Sequence, residues 1–376
     1  MSNIPKREKV YPEQSRRVFV AMSGGVDSSV AALLLKEDGY DVVGAHMVCA
    51  DSAYGQGRRG GIEHPDERSD IGAGVCRQAQ DDRRDAMRVS AKLGIPFLTF
   101  DFRKEYREKV YEYMVHEYAA GRTPNPDVMC NREIKFGIFL KKALEAGADF
   151  IATGHYVRKE GEKLFEAKDK NKDQSYFLWT LTPEQLQRSL FPIGDYLKSE
   201  VREIARKAGL ITADKKDSQG LCFVGKVDFQ DFMRELLPVK EGLVKNSRGE
   251  ILGKHDGAHF FTPGQRHGLN LGGFREPLYV ADKDTITNTL VVAQGASDPV
   301  LYKKEIEVGN LNLLSELPDK VEVRIRYRQP KQKAKIYELK TKNYKLIFDV
   351  PQRGVAAGQS AVLYRGDELL GGGVIV

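Results

Sequence analysis

Ser23-Gly24-Gly25-Val26-Asp27-Ser28-Ser29 constrains this chain more than any other stretch. The apolar run Val18-Phe19-Val20-Ala21-Met22 precedes it, and Val30-Ala31-Ala32-Leu33-Leu34-Leu35 follows. That order predicts a strand, a glycine turn and a helix start. Gly24 and Gly25 let the backbone approach a ligand with no Cβ in the way. The N–H groups of the first helical turn favour an anion, phosphate above all. Asp27 does not serve an anion, and a carboxylate beside a phosphate site points to a bound Mg²⁺ or a nucleotide contact. The Lys-Ser/Thr ending of a kinase or GTPase loop is missing. The plain alternative is a glycine turn capped by Ser28 or Ser29. Seven residues in a strand–turn–helix context favour the nucleotide.

At 376 residues the chain is long for one core, so two or three domains are expected. No run of eighteen apolar residues exists, which argues against a membrane span. The first seventeen residues are polar and lack an apolar stretch, so a loose tail and a cytoplasmic protein are expected, not a secretory signal. The net charge of +6 permits a polyanionic partner without requiring one. Four cysteines, Cys49, Cys76, Cys130 and Cys222, form no CxxC pair and no Cys/His pattern, so no structural zinc is expected.

From 18 to about 156, short apolar strands over 18–22, 41–47, 96–101 and 149–153 alternate with helical patterns over 28–38, 81–93, 105–120 and 131–145. This predicts an α/β parallel sheet covered by helices. Ligands sit beyond the carboxyl ends of such strands, where Ser23, Met47 and Gly154 lie. The stretch 51–74 interrupts the pattern and reads as a lid or a loose insert. A single amphipathic helical segment is expected over 183–209, with Leu190, Val201, Ile204 and Ala205 facing the core. Past about Asp228, glycine-bounded short segments take over. Clean alternation over 321–327, continued to the C-terminus, predicts a small antiparallel barrel. The expected division is a tail over 1–16, a catalytic domain over 17–228, a mostly-β central domain over 229–298 and a β-barrel over 299–376.

Two cysteines have chemical surroundings. Cys130 ends Thr123-Pro124-Asn125-Pro126-Asp127-Val128-Met129-Cys130, just before the expected helix over 131–145. A cysteine at a helix N-terminus is favoured as thiolate, and Asp127 three residues earlier can shuttle a proton. A buried cysteine beside an N-capping Asp fits these local features equally well. Cys222 follows Lys215-Lys216-Asp217-Ser218-Gln219-Gly220-Leu221. Nearby lysines and a glycine turn suit an activated nucleophile, while Leu221 and Phe223 suit a core thiol. Cys49 and Cys76 read as packing residues. Thr153-Gly154-His155-Tyr156 lies at a strand end, over the nucleotide. Lys172-Asp173-Gln174-Ser175-Tyr176 suits single-stranded RNA as well as it suits a polar turn. Arg324-Ile325-Arg326-Tyr327-Arg328 reads as guanidinium groups beside an aromatic ring on a strand, fit for stacking and phosphate contact or simply a charged face.

Taken together, these motifs resemble the tRNA-specific 2-thiouridylases of bacteria and mitochondria. The resemblance rests on 23–29, 121–136, 152–156, 171–179, 217–225, 262–268 and 358–362. It includes the Asn-Pro-Asp-x-x-Cys and Gly-x-Cys-Phe pair that other pyrophosphate-loop enzymes lack. It implies an adenine-nucleotide alpha-hydrolase-like sheet domain with ATP held by Ala21, Met22, Ser23, Gly24, Gly25, Val26, Asp27, Ser28, Met47 and Gly154, together with Mg²⁺. It implies adenylation of the C2 oxygen of a wobble uridine in lysine, glutamate and glutamine tRNAs. Cys222 would carry a persulfide loaded by a sulfur-relay protein or cysteine desulfurase. Cys130 would release that sulfur and form a disulfide with Cys222, and Asp127 would act as acid/base. Asn125, Pro126, Asp127, His155, Lys172, Asp173, Gln174, Arg326, Tyr327 and Gln359 would contact the tRNA anticodon arm. No resident metal and a monomer are expected. Two other classes remain on these residues: a small-molecule adenylating ligase with packing cysteines, and an RNA-binding protein on an inactive nucleotide fold.

Overall fold

Alternate residues of the first strand belong to two different cores, which is why its sequence is apolar throughout rather than alternating. Val18 and Val20 face one cluster, Phe19 and Ala21 the other. The structure, a computed structural model, describes residues 16–49, 70–216, 233–234 and 236–376. The tail and the segment carrying Cys222 lie outside the described residues, as does most of the expected insert.

The first sheet is wholly parallel. It contains β1 (Arg17–Ala21), β2 (Asp41–Val48), β3 (Phe97–Asp101), β4 (Phe150–Ala152) and, after a hairpin, the short β7 (Ser189–Leu190), in the order β3-β2-β1-β4-β7. The chain leaves β1 toward β2 and returns to its other side at β4. The strand order therefore reverses between β1 and β4, and a ligand crevice opens at their carboxyl ends. Helices α1 (Val26–Glu37), α2 (Asp70–Leu93), α3 (Arg103–Tyr106) and α4 (Glu112–Ala119) follow the first three strands, and α5 (Pro126–Cys130) and α6 (Leu140–Glu145) precede β4. α2 begins at Asp70, inside the stretch expected to be loose.

The expected single helix over 183–209 is instead α7 (Pro183–Gln187), strand β7, and α8 (Lys198–Lys207). Pro192 and Gly194 sit in the break, and Leu190 pairs with Ala152 rather than lining a helix. Val201 and Ala205 are buried as expected.

A second sheet contains β8 (Gly242–Asn246), β9 (Ile251–His255), β10 (Leu278–Asp284) and β11 (Thr289–Gln294) around Val244, Phe261, Val280, Leu290 and Val292. The third contains β12 (Tyr302–Leu313), β13 (Lys320–Arg324), β14 (Gln332–Glu338), β15 (Tyr344–Arg353), β16 (Ser360–Arg365) and β17 (Glu368–Ile375). β12 pairs with both β15 and β17, so these six antiparallel strands close into the expected barrel.

A hairpin from the first part of the chain, β5 (Val157–Glu160) and β6 (Lys163–Glu166), extends this barrel sheet by pairing with Glu368 and Leu369. A buried ionic cluster holds the join. The Glu166 carboxylate, almost fully enclosed, faces Arg324 at 2.7 Å, Lys170 at 2.9 Å and Lys331 at 3.0 Å. Arg324 also meets Asp173 at 3.0 Å. Removing one partner of a buried pair costs about 3–5 kcal/mol, because the remaining charges stay desolvated. Glu166→Gln is therefore expected to lower the urea midpoint by that free energy with an unchanged denaturant slope. A loss below about 1 kcal/mol would mean that the cluster is effectively solvated.

Candidate active site

At the end of β1 the chain turns through Gly24, at φ +74°, and enters α1 at Val26. A Cβ on Gly24 would lie 2.2 Å from the Asp82 carbonyl oxygen, so a side chain has neither the conformation nor the space. The helix N-cap is Gly25, and no side chain caps it. The Ser28 and Ser29 hydroxyls instead donate to the Gly25 carbonyl at 3.2 and 2.8 Å. The serine-capped turn is therefore not what forms. Across the crevice, a Cβ on Gly154 would come within 2.7 Å of the Ser28 nitrogen. Gly154 thus lies directly against the loop, as a shared pocket requires. Ala21, Met22 and Met47 are buried beside it.

The carboxylate and cations here are arranged closely. Asp27 receives Lys198 Nζ at 2.7 and 2.8 Å and the Tyr156 hydroxyl at 2.8 Å. Lys215 donates to the Gly24 carbonyl at 3.0 Å and to Asp82 and Asp85 at 2.8 and 2.6 Å. Lys215 also lies upstream of Cys222, which is outside the described residues, and Lys198 stands at the start of α8 without any motif. Thr212 also reaches the loop, donating to the Ser29 hydroxyl at 3.0 Å.

Cys130 is not at a helix N-terminus. Pro126 occupies the first helical position, Asn125 caps it by accepting from Val128 N–H at 3.3 Å, and the helix runs on past Cys130. The cap is thus Asn125, not Asp127, and Cys130 sits a turn inside, where first-turn N–H groups no longer help its thiolate. Asp127 and Cys130, three residues apart on this helix, are neighbours on one face. The thiol is fully buried, in the same apolar cluster as Ala21, Met47 and Cys49.

All three parts of the chain hold the backbone leading to Asp127. Thr123 N–H donates to the Ala357 carbonyl at 2.7 Å. Gln359 donates its amide to the Thr123 and Pro124 carbonyls at 2.9 and 3.2 Å. From the central part, the Thr262 hydroxyl lies 3.4 Å from that of Thr123. Tyr327 packs on Phe177, with ring centroids 4.5 Å apart, beside Tyr176. Of the expected RNA residues, Asn125, Pro126 and Asp127 thus follow directly on the segment that Gln359 holds, and Tyr327 packs on the Tyr176–Phe177 pair.

Others are engaged differently. β13 stops at Arg324, so 325–328 form a turn rather than a strand, with Arg328 at φ +64°. The Arg326 guanidinium donates to the Pro263 and Gly354 carbonyls at 2.5 and 2.7 Å, bridging the central part and the barrel. Asp173 is buried, accepting from Ala167 N–H and the Ser175 hydroxyl as well as Arg324, and burial pushes its carboxyl up. Lys172 is half-buried. Gln174 accepts from Tyr156 N–H at 3.0 Å, while its own N–H donates to the Tyr156 carbonyl at 2.9 Å. With the Tyr156–Asp27 bond, this joins the 172–174 segment to the start of α1.

His155 is buried, with Nδ1 2.7 Å from the Thr153 hydroxyl. Burial, helped by the charge of Lys135, holds its pKa well below the ordinary imidazole value of 6.5. Its neutral form stabilises the fold fully above that value, and this contribution is lost as pH falls below it. The unfolding midpoint is expected to drop below pH 6.5, less steeply in His155→Gln. Parallel pH curves for the two proteins would refute this assignment.

Three family models match successive parts of the chain. The tRNA methyl transferase HUP domain covers residues 16–226, the tRNA methyl transferase PRC-barrel domain 230–294, and the aminomethyltransferase beta-barrel domain 303–375. A tRNA-specific 2-thiouridylase MnmA of Geobacillus thermodenitrificans is 47% identical over 96% of this chain and 94% of its own. One from Halalkalibacterium halodurans is 46% identical over 98% and 96%. Among solved structures, a 4-thiouridine synthetase–RNA complex with bound ATP aligns with 56% of this chain and 46% of its own, at 20% identity and a TM-score of 0.32. Among the described residues, no helix is long and apolar enough to cross a membrane. Relatives 46–47% identical along nearly the whole of both chains leave one assignment: the chain belongs to the tRNA-specific 2-thiouridylase family.

Proposed function

We propose that this enzyme uses ATP to replace the C2 oxygen of the wobble uridine of lysine, glutamate and glutamine tRNAs with sulfur. Family membership makes it a tRNA-uridine 2-sulfurtransferase. The observation that supports the use of ATP is the cradle at the end of β1, where Gly24 and Gly154 leave no room for a side chain beside the uncapped α1 N-terminus.

In this reading ATP lies over 21–28, Met47 and Gly154, with its phosphates on the uncapped α1 N-terminus. The glycine cradle, two neighbouring cations and the Asp27 carboxylate fit a Mg²⁺–triphosphate. Mg²⁺, held by Asp27, would neutralise phosphate charge when bound. The uracil C2 oxygen attacks the α-phosphorus, and the bond to pyrophosphate breaks. Asp127 takes the N3 proton. The adenylated oxygen then leaves as AMP when the outer sulfur of a Cys222 persulfide attacks C2, and Cys130 attacks the Cys222 sulfur, breaking the S–S bond to free the thiouridine and leaving a Cys130–Cys222 disulfide. In the release route, Cys130 attacks that persulfide, frees hydrosulfide and forms a disulfide with Cys222, which a cellular thiol reduces. A sulfur-relay protein or cysteine desulfurase loads Cys222, and the anticodon arm binds with its target base out of the stack.

The test is thiolation of an unmodified glutamate-tRNA transcript with ATP, Mg²⁺ and a sulfur source, read on a mercury-containing gel. A retarded band dependent on ATP and protein is expected. ATP cleavage without RNA and without a band would indicate a small-molecule ligase.

A further inference from the structure

We propose that Lys198 is the cation that receives the departing pyrophosphate, exchanging its ion pair with Asp27 for the phosphate oxygens. This rests on the reading that the 23–29 loop binds ATP.

Lys198 Nζ contacts both oxygens of Asp27, and its side chain is only 12% exposed. The Tyr156 ring lies 5.7 Å from the ammonium, and its hydroxyl shares Asp27 Oδ1. Asp27 is in the first turn of α1, so its carboxylate stands where the helix presents N–H groups to phosphate. The pair therefore occupies the place where a triphosphate charge must lie. A divalent cation drawing on Asp27 competes with Lys198 for the same two oxygens. When Asp27 turns to a metal-bound nucleotide, the ammonium is released next to the phosphates. A lysine on a four-carbon stem is suited to such a swing. Its backbone stays fixed, because Lys198 N–H donates to Asp169 at 3.0 Å and the adjacent Leu197 N–H donates to Glu200 at 2.6 Å.

In the step concerned, the C2 oxygen–phosphorus bond forms and the α-phosphorus–bridging oxygen bond breaks. The electron pair departs with pyrophosphate, and Lys198 stays protonated beside it. A group meeting charge that develops on the leaving group lowers the barrier. It also binds free pyrophosphate while ignoring AMP.

That selectivity supplies the test, made by titration calorimetry on the full chain with Mg²⁺-ATP, Mg²⁺-pyrophosphate and AMP. Losing one charge-assisted hydrogen bond in Lys198→Met is expected to weaken pyrophosphate and ATP binding by about tenfold or more, with AMP within about twofold. Lys198→Arg, which keeps the charge, should recover most of the pyrophosphate affinity. Equal losses for AMP and pyrophosphate, or unchanged pyrophosphate binding, would overturn the proposal. Should Lys198→Met not fold, Lys198→Gln takes its place, with the same expected and overturning results. A wild-type protein that binds ATP but leaves tRNA unthiolated would sink the thiolation reading and leave Lys198 in place.

Discussion

Cys222→Ser is expected to reduce thiolation from a persulfide donor at least about 10³-fold, the scale seen when a residue of a covalent relay is removed. Cys130→Ser should do the same with that donor, because sulfur loaded on Cys222 would not be released. Free sulfide separates the roles. If Cys222 only carries sulfur, sulfide bypasses it, and a band returns in Cys222→Ser. If its sulfur must attack C2 directly, no band returns. Full activity of both variants would convert the thiols to packing residues. For Cys130 this outcome has some structural weight, since its thiol is buried and one turn inside its helix. The chemistry therefore requires the pocket to open to it.

Gly24→Ala is the second large effect. Its backbone is left-handed, and the new Cβ would meet main-chain atoms of Asp82, which cannot swing aside. Overpacking costs about 1–3 kcal/mol and the backbone conformation about 1–2 kcal/mol. A shift of the loop by a fraction of an ångström would misplace every N–H aimed at phosphate. ATP binding is expected to fall about 100-fold or more, with a lower melting temperature. Wild-type ATP affinity in Gly24→Ala would show that this loop does not hold the phosphates.

The turn at 23–29 was readable because all its determinants are local: a strand, two glycines and a helix start within a dozen residues. The parallel sheet was readable for a similar reason, since β1 is buried on both faces and its apolar run is unbroken. β12 escaped notice. Lys303, Lys304, Glu305 and Glu307 obscure its alternation, and only Ile306 and Val308 mark its inner face. The hairpin 157–166 escaped too, because its partner strand lies some two hundred residues later. Arg324 and Arg326 illustrate another limit. A guanidinium beside an aromatic ring reads as an RNA contact, yet Arg324 is paired with Glu166 and Asp173, and Arg326 with two carbonyls. Lys198 had no local signature because its meaning depends on Asp27, far away in sequence.

The loop before Asp127 is finished by Ala357 and Gln359, close to the end of the 376-residue chain. Thr123 lies 236 residues before the Gln359 amide that holds its carbonyl. The barrel is thereby a strut for that loop, and drawing the two apart would cost the loop three hydrogen bonds to its backbone.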